Sequence, residues 1–182
     1  MNHTIPWAVM VSIKPRHTAN IKSRKKSLEV RKTVPSISNP FKVYVYETKD
    51  GSEGAGAVVC EFVCDYIAFM QNPFDGSVSQ EDSQAACLTE KEIQSYARGR
   101  TVYGWHISEL KLYDEPIPLN KFVPRCQFML DDMPTCDHKA VGCPYQNYDY
   151  NPEGSLNTVT CLKLMKRPPQ SWCYVLEVHH EA

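Results

Sequence analysis

The stretch SRKKSLEVRK, residues 23–32, joins a cluster of basic side chains to the start of a strand. Leu28 and Val30 alternate with Glu29 and Arg31, and a period of two is typical of a strand with one buried face. The sequence therefore predicts a half-buried strand on which Glu29 and Arg31 share the face opposite to the apolar pair.

The excess of positive charge extends upstream of this strand. The whole chain has 20 Lys and Arg against 21 Asp and Glu, so its formal net charge is −1. Residues 14–32, the basic segment, hold eight basic side chains and a single acid, Glu29. The basic residues are Lys14, Arg16, Lys22, Arg24, Lys25, Lys26, Arg31 and Lys32. Such a segment favours an anionic ligand such as RNA or a nucleotide, with a merely solvated charged surface as the alternative.

The flanking sequence predicts strands with few helices. An apolar strand over residues 7–13 leads into a helix with Pro15 in its first turn. Further strands are predicted over 41–48, 57–69, 101–119 and 171–178. Residues 71–99 favour a helical insertion that ends at Gly99. We expect the α+β class, as a small mixed barrel of five or six strands with short helices.

The length suits one domain over residues 1–182, with the helical insertion at about 71–99 and a cysteine-containing loop insertion at about 123–165. The first residues lack a basic n-region and Pro6 interrupts their apolar run, so they do not resemble a signal peptide. No apolar stretch approaches the roughly 18 residues of a membrane span. We therefore expect a cytoplasmic protein without a membrane partner.

Seven of the eight cysteines fall into two groups, and the eighth, Cys173, lies in the predicted last strand. Cys60 and Cys64 share one face of a predicted strand and are expected in the core, as is Cys87 on its helix. The later group lies in an aperiodic region and would suit structural zinc, or else free thiols in an ordered loop. Its members are Cys126, Cys136, Cys143 and Cys161, with His138 as an alternate ligand.

The order of elements and the charged positions resemble the ASCH domain, a branch of the PUA-like superfamily, as found in phage and bacterial proteins. The family pattern G-x-K-x-x-E-x-R aligns with Arg24, Lys26, Glu29 and Arg31, with Arg24 in place of the glycine. Glycine would permit a positive φ there, whereas arginine would resist it. The segments SIKP, YGWHISELKLYDEPIPL and RPPQSWCYV also resemble these proteins, so the likeness runs from about residue 9 to 178.

The resemblance implies a PUA-like barrel whose mouth binds RNA or a nucleotide-like ligand through Lys26, Glu29 and Arg31. The lysine and arginine would anchor phosphate, and Glu29 would accept from an exocyclic amine. The other candidate ligand-binding residues are Lys14, Arg24, Lys25, Trp105, His106, Arg167, Gln170 and Ser171. Trp105 and His106 would stack on a base, although the core is the alternative place for Trp105.

Two other functions stay open. One branch of the family is a 4-acetylcytidine amidohydrolase whose catalytic lysine matches Lys26, so a hydrolase of a modified nucleoside, or of RNA, would use Lys26 and Glu29. That branch has threonine at the position of Glu29. The second alternative is an accessory protein-interaction module that uses the two insertions. No cofactor is required for any of these functions, and zinc would be structural.

Overall fold

The computed structural model describes residues 7–71, 75–125, 146–150, 156–161 and 164–176. These ranges contain three α-helices, ten β-strands and one 3₁₀ turn. The helices are α1 (Pro15–Lys22), α2 (Gln80–Ala86) and α3 (Glu90–Ala97), and the 3₁₀ turn is Leu119–Lys121. The strands are β1 (Trp7–Ile13), β2 (Leu28–Arg31), β3 (Phe41–Glu47), β4 (Ala57–Cys64), β5 (Ile67–Phe69), β6 (Tyr103–His106), β7 (Ser108–Ile117), β8 (Gln146–Tyr150), β9 (Leu156–Cys161) and β10 (Trp172–Leu176).

The strands form two sheets and a separate ribbon. The larger sheet has the order β10-β1-β3-β4-β7, in which β1 and β3 are parallel and the other pairs are antiparallel. The smaller sheet is antiparallel with the order β2-β6-β5, and β8 pairs with β9. The α+β class is confirmed. The ladders between the described residues do not close into the expected barrel, and they involve more strands than the five or six expected.

Strand β1 is apolar except for Ser12 because both faces of the larger sheet are covered. Val9, Val11 and Ile13 join a core that includes Trp105 of β6, so this core lies between the two sheets. Ala8 and Met10 point to the opposite face, into a second cluster. The continuous apolar run that predicts this strand is typical of a strand buried on both sides.

Strand β2 is also buried on both faces, so the expectation of a half-buried strand is wrong. Leu28 and Val30 pack under α2 and α3, in a third cluster that includes Ile93. Glu29 and Arg31 point to the other side and are only 6% and 7% exposed. The helical insertion covers the apolar face, and the charged face, which alternation alone would assign to solvent, is buried as well.

Most predicted elements are present, with altered boundaries. The helix that begins with Pro15 is confirmed, and residues 71–99 contain α2 and α3. The cap of α3 is Arg98, one residue before Gly99, and both have positive φ. The strand predicted over 101–119 is divided at Ile107 into β6 and β7, which lie in different sheets. None of the helices in the described ranges combines the length and the apolar character needed to cross a bilayer.

Candidate functional site

A cleft of about 270 Å³ opens where the end of β1 and the first turn of α1 meet β2 and α3. Its volume is close to the lower end of the range of small-molecule sites, about 300–1,000 Å³. The described residues that line it are Ser12, Ile13, Lys14, Arg16, His17, Lys26, Glu29, Val30, Arg31, Leu88, Glu92 and Tyr96. Four residues expected at the site, Lys14, Lys26, Glu29 and Arg31, are therefore brought together.

Lys26, Glu29 and Arg31 form a buried charged triad at the floor of the cleft. One carboxylate oxygen of Glu29 is 2.8 Å from a terminal nitrogen of Arg31, and the other is 3.5 Å from Nζ of Lys26. Arg31 also donates to the carbonyl oxygen of Ser12 at 2.9 Å, and Lys26 donates to that of Ala86 at 2.7 Å. Their side chains are 2–8% exposed. Two cations thus share one carboxylate, so the triad keeps a formal charge of +1.

The turn after α1 directs Lys26 into the cleft. The N–H of Arg24 donates to the carbonyl of Ile21, and that of Lys25 donates to the carbonyl of Asn20, which is the Schellman pattern of a helix C-terminus. Arg24 occupies the position usually held by glycine and has φ +57°. The left-handed backbone that the family's glycine would provide is therefore kept, although an L-residue there costs about 1–2 kcal/mol.

The rim of the cleft is also basic. Lys14 is the N-cap of α1, and Arg16 lies in the first turn, which contains no acidic residue. Lys14 is 3.6 Å from Asp50 in an exposed pair that water screens. The lining contains four basic side chains and two acidic ones, Glu29 and Glu92, so its formal charge is +2 when His17 is neutral.

His17 is a neutral imidazole in this basic setting. Its pKa is lowered from the ordinary 6.5, first by burial and then by the positive charge of Lys26. Nε of Arg16 donates to Nε2 of His17 at 3.0 Å. Because Nε2 accepts, the ring hydrogen lies on Nδ1 in this tautomer, which makes Nδ1 a donor.

One wall of the cleft comes from α3, through Glu92 and Tyr96. Thr89 and Glu92 form a capping box: Thr89 accepts from the N–H of Glu92, and the carboxylate of Glu92 accepts from the N–H of Thr89 at 2.9 Å. The N–H and the hydroxyl of Thr89 both donate to this carboxylate and lower the pKa of Glu92, which stays ionised. Tyr96 adds an aromatic ring whose centroid is 4.7 Å from Nζ of Lys32. The wall therefore combines one fixed negative charge with one ring.

Arg24 and Lys25 lie outside the cleft. Both are exposed, and Arg24 donates to the carbonyl of Leu110 at 3.4 Å. Arg167, Gln170 and Ser171 are likewise absent from the lining. The segment that contains these three residues is connected to the cleft through its backbone: the N–H of the lining residue Ser12 donates to the carbonyl of Ser171 at 2.9 Å.

The two aromatic candidates, Trp105 and His106, also lie apart from the cleft lining. Trp105 is fully buried and packs edge-to-face on Phe41, so its place is the core and no surface is left for a base. His106 is stacked on the exposed ring of Tyr66, with centroids 4.4 Å apart, and its Nδ1 is 2.6 Å from Asp65. This hydrogen bond lowers the pKa of Asp65.

The early cysteines behave largely as expected. Cys60 and Cys64 are fully buried, and burial raises the pKa of each to about 12. Cys87 is half-buried in a left-handed cap after α2, so its expected place inside the helix is wrong. Cys126, Cys136, His138 and Cys143, as well as the side chain of Cys161, lie outside the described residues, so the zinc site stays a prediction.

Sequence reasoning does not assign four further titratable lining residues to the site. Arg16 lies in the basic segment, and its position beside Pro15, at the start of a helix, is the signal that could have identified it. His17 follows it in the same turn. Glu92 and Tyr96 are more than sixty residues from the triad in sequence, and no local pattern connects them to it.

The fold is similar to that of solved ASCH proteins. The ASCH protein of Zymomonas mobilis matches with a TM-score of 0.50 and 19% identity over 63% of this chain and 75% of that one. A single-substitution variant of it matches at 18% identity and the same TM-score, over 63% of this chain and 77% of that one. The resemblance to the ASCH domain is confirmed at the level of the fold. No protein-family model and no curated protein sequence matches the chain.

Proposed function

We propose that the cleft binds a nucleotide-like ligand, free or at one position of an RNA strand. The observation that carries the proposal is the buried charged triad, which faces a small cleft of formal charge +2. A site with this charge favours an anion, and its small volume favours a unit of nucleotide size over a broad polymer contact. The ASCH-like fold supports the proposal, because the PUA-like resemblance implies nucleic-acid-related binding.

Each part of the lining has a role in this proposal. Arg31 and Lys26 provide donors to an anionic group or a base edge, since the guanidinium carries five N–H donors and the ammonium three. Glu29, held between them, accepts from an exocyclic amine. The ring of Tyr96 gives an apolar surface beside a base, and Nδ1 of His17 donates a further hydrogen bond.

The test is a fluorescence titration of mononucleotides and short single-stranded RNA and DNA at low and moderate salt. Arg16→Gln removes a rim charge, and Arg24→Gln removes an equally exposed charge of the same segment outside the cleft. We expect Arg16→Gln to weaken binding by about tenfold, as for loss of a charge-assisted hydrogen bond. Arg24→Gln should change it less than twofold. Equal effects of the two variants would contradict binding in the cleft.

Arg31→Lys tests the floor of the cleft with its charge retained. One terminal nitrogen of Arg31 contacts both Glu29 and the carbonyl of Ser12, and lysine would lack the guanidinium's other donors, which a ligand could engage. We expect weaker binding with a circular dichroism spectrum like that of the wild type. A variant that is folded and binds as the wild type does would remove Arg31 from the site.

Hydrolysis of a modified nucleoside is a second candidate. The observation that favours it is that Lys26, which matches the catalytic lysine of the amidohydrolase branch, lies 3.5 Å from Glu29 and both line the cleft. Glu29 replaces the threonine of that branch. Incubation with N4-acetylcytidine and detection of released acetate would test it. Turnover by the wild type that is lost in Glu29→Gln would support catalysis, and its absence in the wild type would refute activity on this nucleoside.

A further inference from the structure

The charge of the cleft is larger than a singly charged group needs. Its cations come from three elements: Lys14 and Arg16 at the start of α1, Lys26 in the turn after α1, and Arg31 on β2. Two carboxylates offset half of them. The lining residues thus keep a formal charge of +2 around one volume of about 270 Å³, and Lys14 shares its charge with Asp50 at the exposed rim. At the buried floor, electrostatic attraction is stronger than in bulk water.

Arg31 has more hydrogen-bonding capacity than its protein partners use. One terminal nitrogen contacts both Glu29 and the carbonyl of Ser12. The Nε atom is buried and has no hydrogen-bond partner among the described residues. A buried donor without a partner is unfavourable, so an acceptor brought beside Arg31 would bind with added free energy.

The first turn of α1 adds the positive end of a helix dipole to the same cleft. The turn begins at Lys14 and Pro15, contains no acidic side chain, and directs the N–H groups of His17 and Thr18 to the carbonyl of Lys14 at 2.9 and 3.1 Å. The positive end of the helix dipole therefore faces the space that Arg16 and His17 border.

From these three observations we propose that the ligand carries a terminal phosphate, a phosphomonoester, held between the first turn of α1 and Arg31. The inference rests on the proposed function and names the class of nucleotide. A phosphomonoester carries a charge of about −1.5 to −2 at pH 7, which matches the +2 of the lining. An internal phosphodiester carries only one negative charge. Its second ester oxygen is bonded to the next nucleotide, so the strand would also need a path out of the phosphate-binding position. The preferred ligand is thus a mononucleotide or the phosphorylated end of a strand.

Calorimetric titration at pH 7.5 with four sets of probes tests this proposal. The probes are nucleosides, their 5′- and 3′-monophosphates, the methyl esters of these monophosphates, and inorganic phosphate. We expect one monophosphate series to bind at least tenfold more tightly than its nucleosides and its methyl esters. Inorganic phosphate should bind more weakly than that series, because it lacks the base and sugar.

The matched variants locate the phosphate. Arg16→Gln should reduce the preference for monophosphate over nucleoside by at least fivefold, whereas Arg24→Gln should keep it. A preference unchanged in Arg16→Gln would overturn the placement at α1. Equal affinity for nucleosides, monophosphates and methyl esters would overturn the inference and leave nucleotide-like binding intact.

Two other results separate the inference from its premise. If inorganic phosphate binds as tightly as any nucleotide, the assignment to a nucleotide is overturned. If none of the probes and no short RNA binds to the folded wild-type protein, the proposed function fails and the inference fails with it.

Discussion

Replacing Glu29 by glutamine should destabilise the folded protein by about 3 kcal/mol. The carboxylate is 7% exposed and is 2.8 Å from Arg31 and 3.5 Å from Lys26, so it is shared by two buried cations. Glutamine keeps the size of the side chain but removes the charge, and its NH₂ group would face one of the two cations. Removing one partner of a buried ion pair costs about 3–5 kcal/mol. We take the lower limit because the cleft admits water on one side.

Urea denaturation monitored by tryptophan fluorescence measures this loss, and a thermal scan provides a second readout. For a chain of 182 residues, 1 kcal/mol corresponds to about 2–4 °C, so the midpoint should fall by about 6–12 °C. Glu53→Gln, at an exposed loop carboxylate, is the matched control and should change stability by less than about 0.5 kcal/mol. A loss in Glu29→Gln below about 1 kcal/mol, or equal to that of the control, would refute the reasoning about the triad.

Three further predictions concern the turn, the histidine and the early cysteines. Arg24→Gly should stabilise the protein by about 1 kcal/mol in urea denaturation, because glycine adopts the positive φ without strain. The control Lys25→Gly should lower stability. A loss of stability in Arg24→Gly would contradict the proposed backbone strain at this position. Because the pKa of His17 is lowered in the folded protein, the unfolded chain binds more protons, and stability should fall as the pH drops below 6.5. In thermal scans from pH 7.5 to 5, His17→Gln should show a weaker dependence of stability on pH. Cys60 and Cys64, with pKa values near 12, should resist iodoacetamide at pH 8 until the protein unfolds, and peptide mass mapping of the native protein would reveal any modification.

Local sequence patterns predict the elements of this fold better than their arrangement. The spacing of Lys26, Glu29 and Arg31 is a property of one turn and one short strand, so their convergence follows from alternation and the preceding helix. The burial of Glu29 does not follow, because it depends on pairing with β6 and on cover from distant parts of the chain. Sheet closure depends in the same way on long-range pairing, which periodicity does not encode.

The contribution of α3 to the cleft was equally beyond local reasoning. Glu92 is explained locally as part of a capping box, and Tyr96 lies one turn further along the same helix. Their common orientation toward the basic segment results from packing of Ile93 against Leu28 and Val30. Trp105 illustrates the opposite case, because alternation along its strand offers the core as its place and the structure places it there.

The bond from Lys26 to the carbonyl of Ala86 makes the helical insertion part of the electrostatics of the cleft. Ala86 is the last residue of α2, and the neighbouring carbonyl of Ala85 accepts from the N–H of Ser27 at 2.8 Å. The basic turn is therefore clamped to the negative end of a helix. If the insertion moved away, Lys26 would lose its backbone acceptor and Leu28 its apolar cover, and among the described residues only the contact with Glu29 would hold Lys26 in place. Opening of the insertion and disruption of the ligand site are thus one event, and a bound ligand should protect the amides of α2 and α3 from hydrogen exchange as strongly as those of β2.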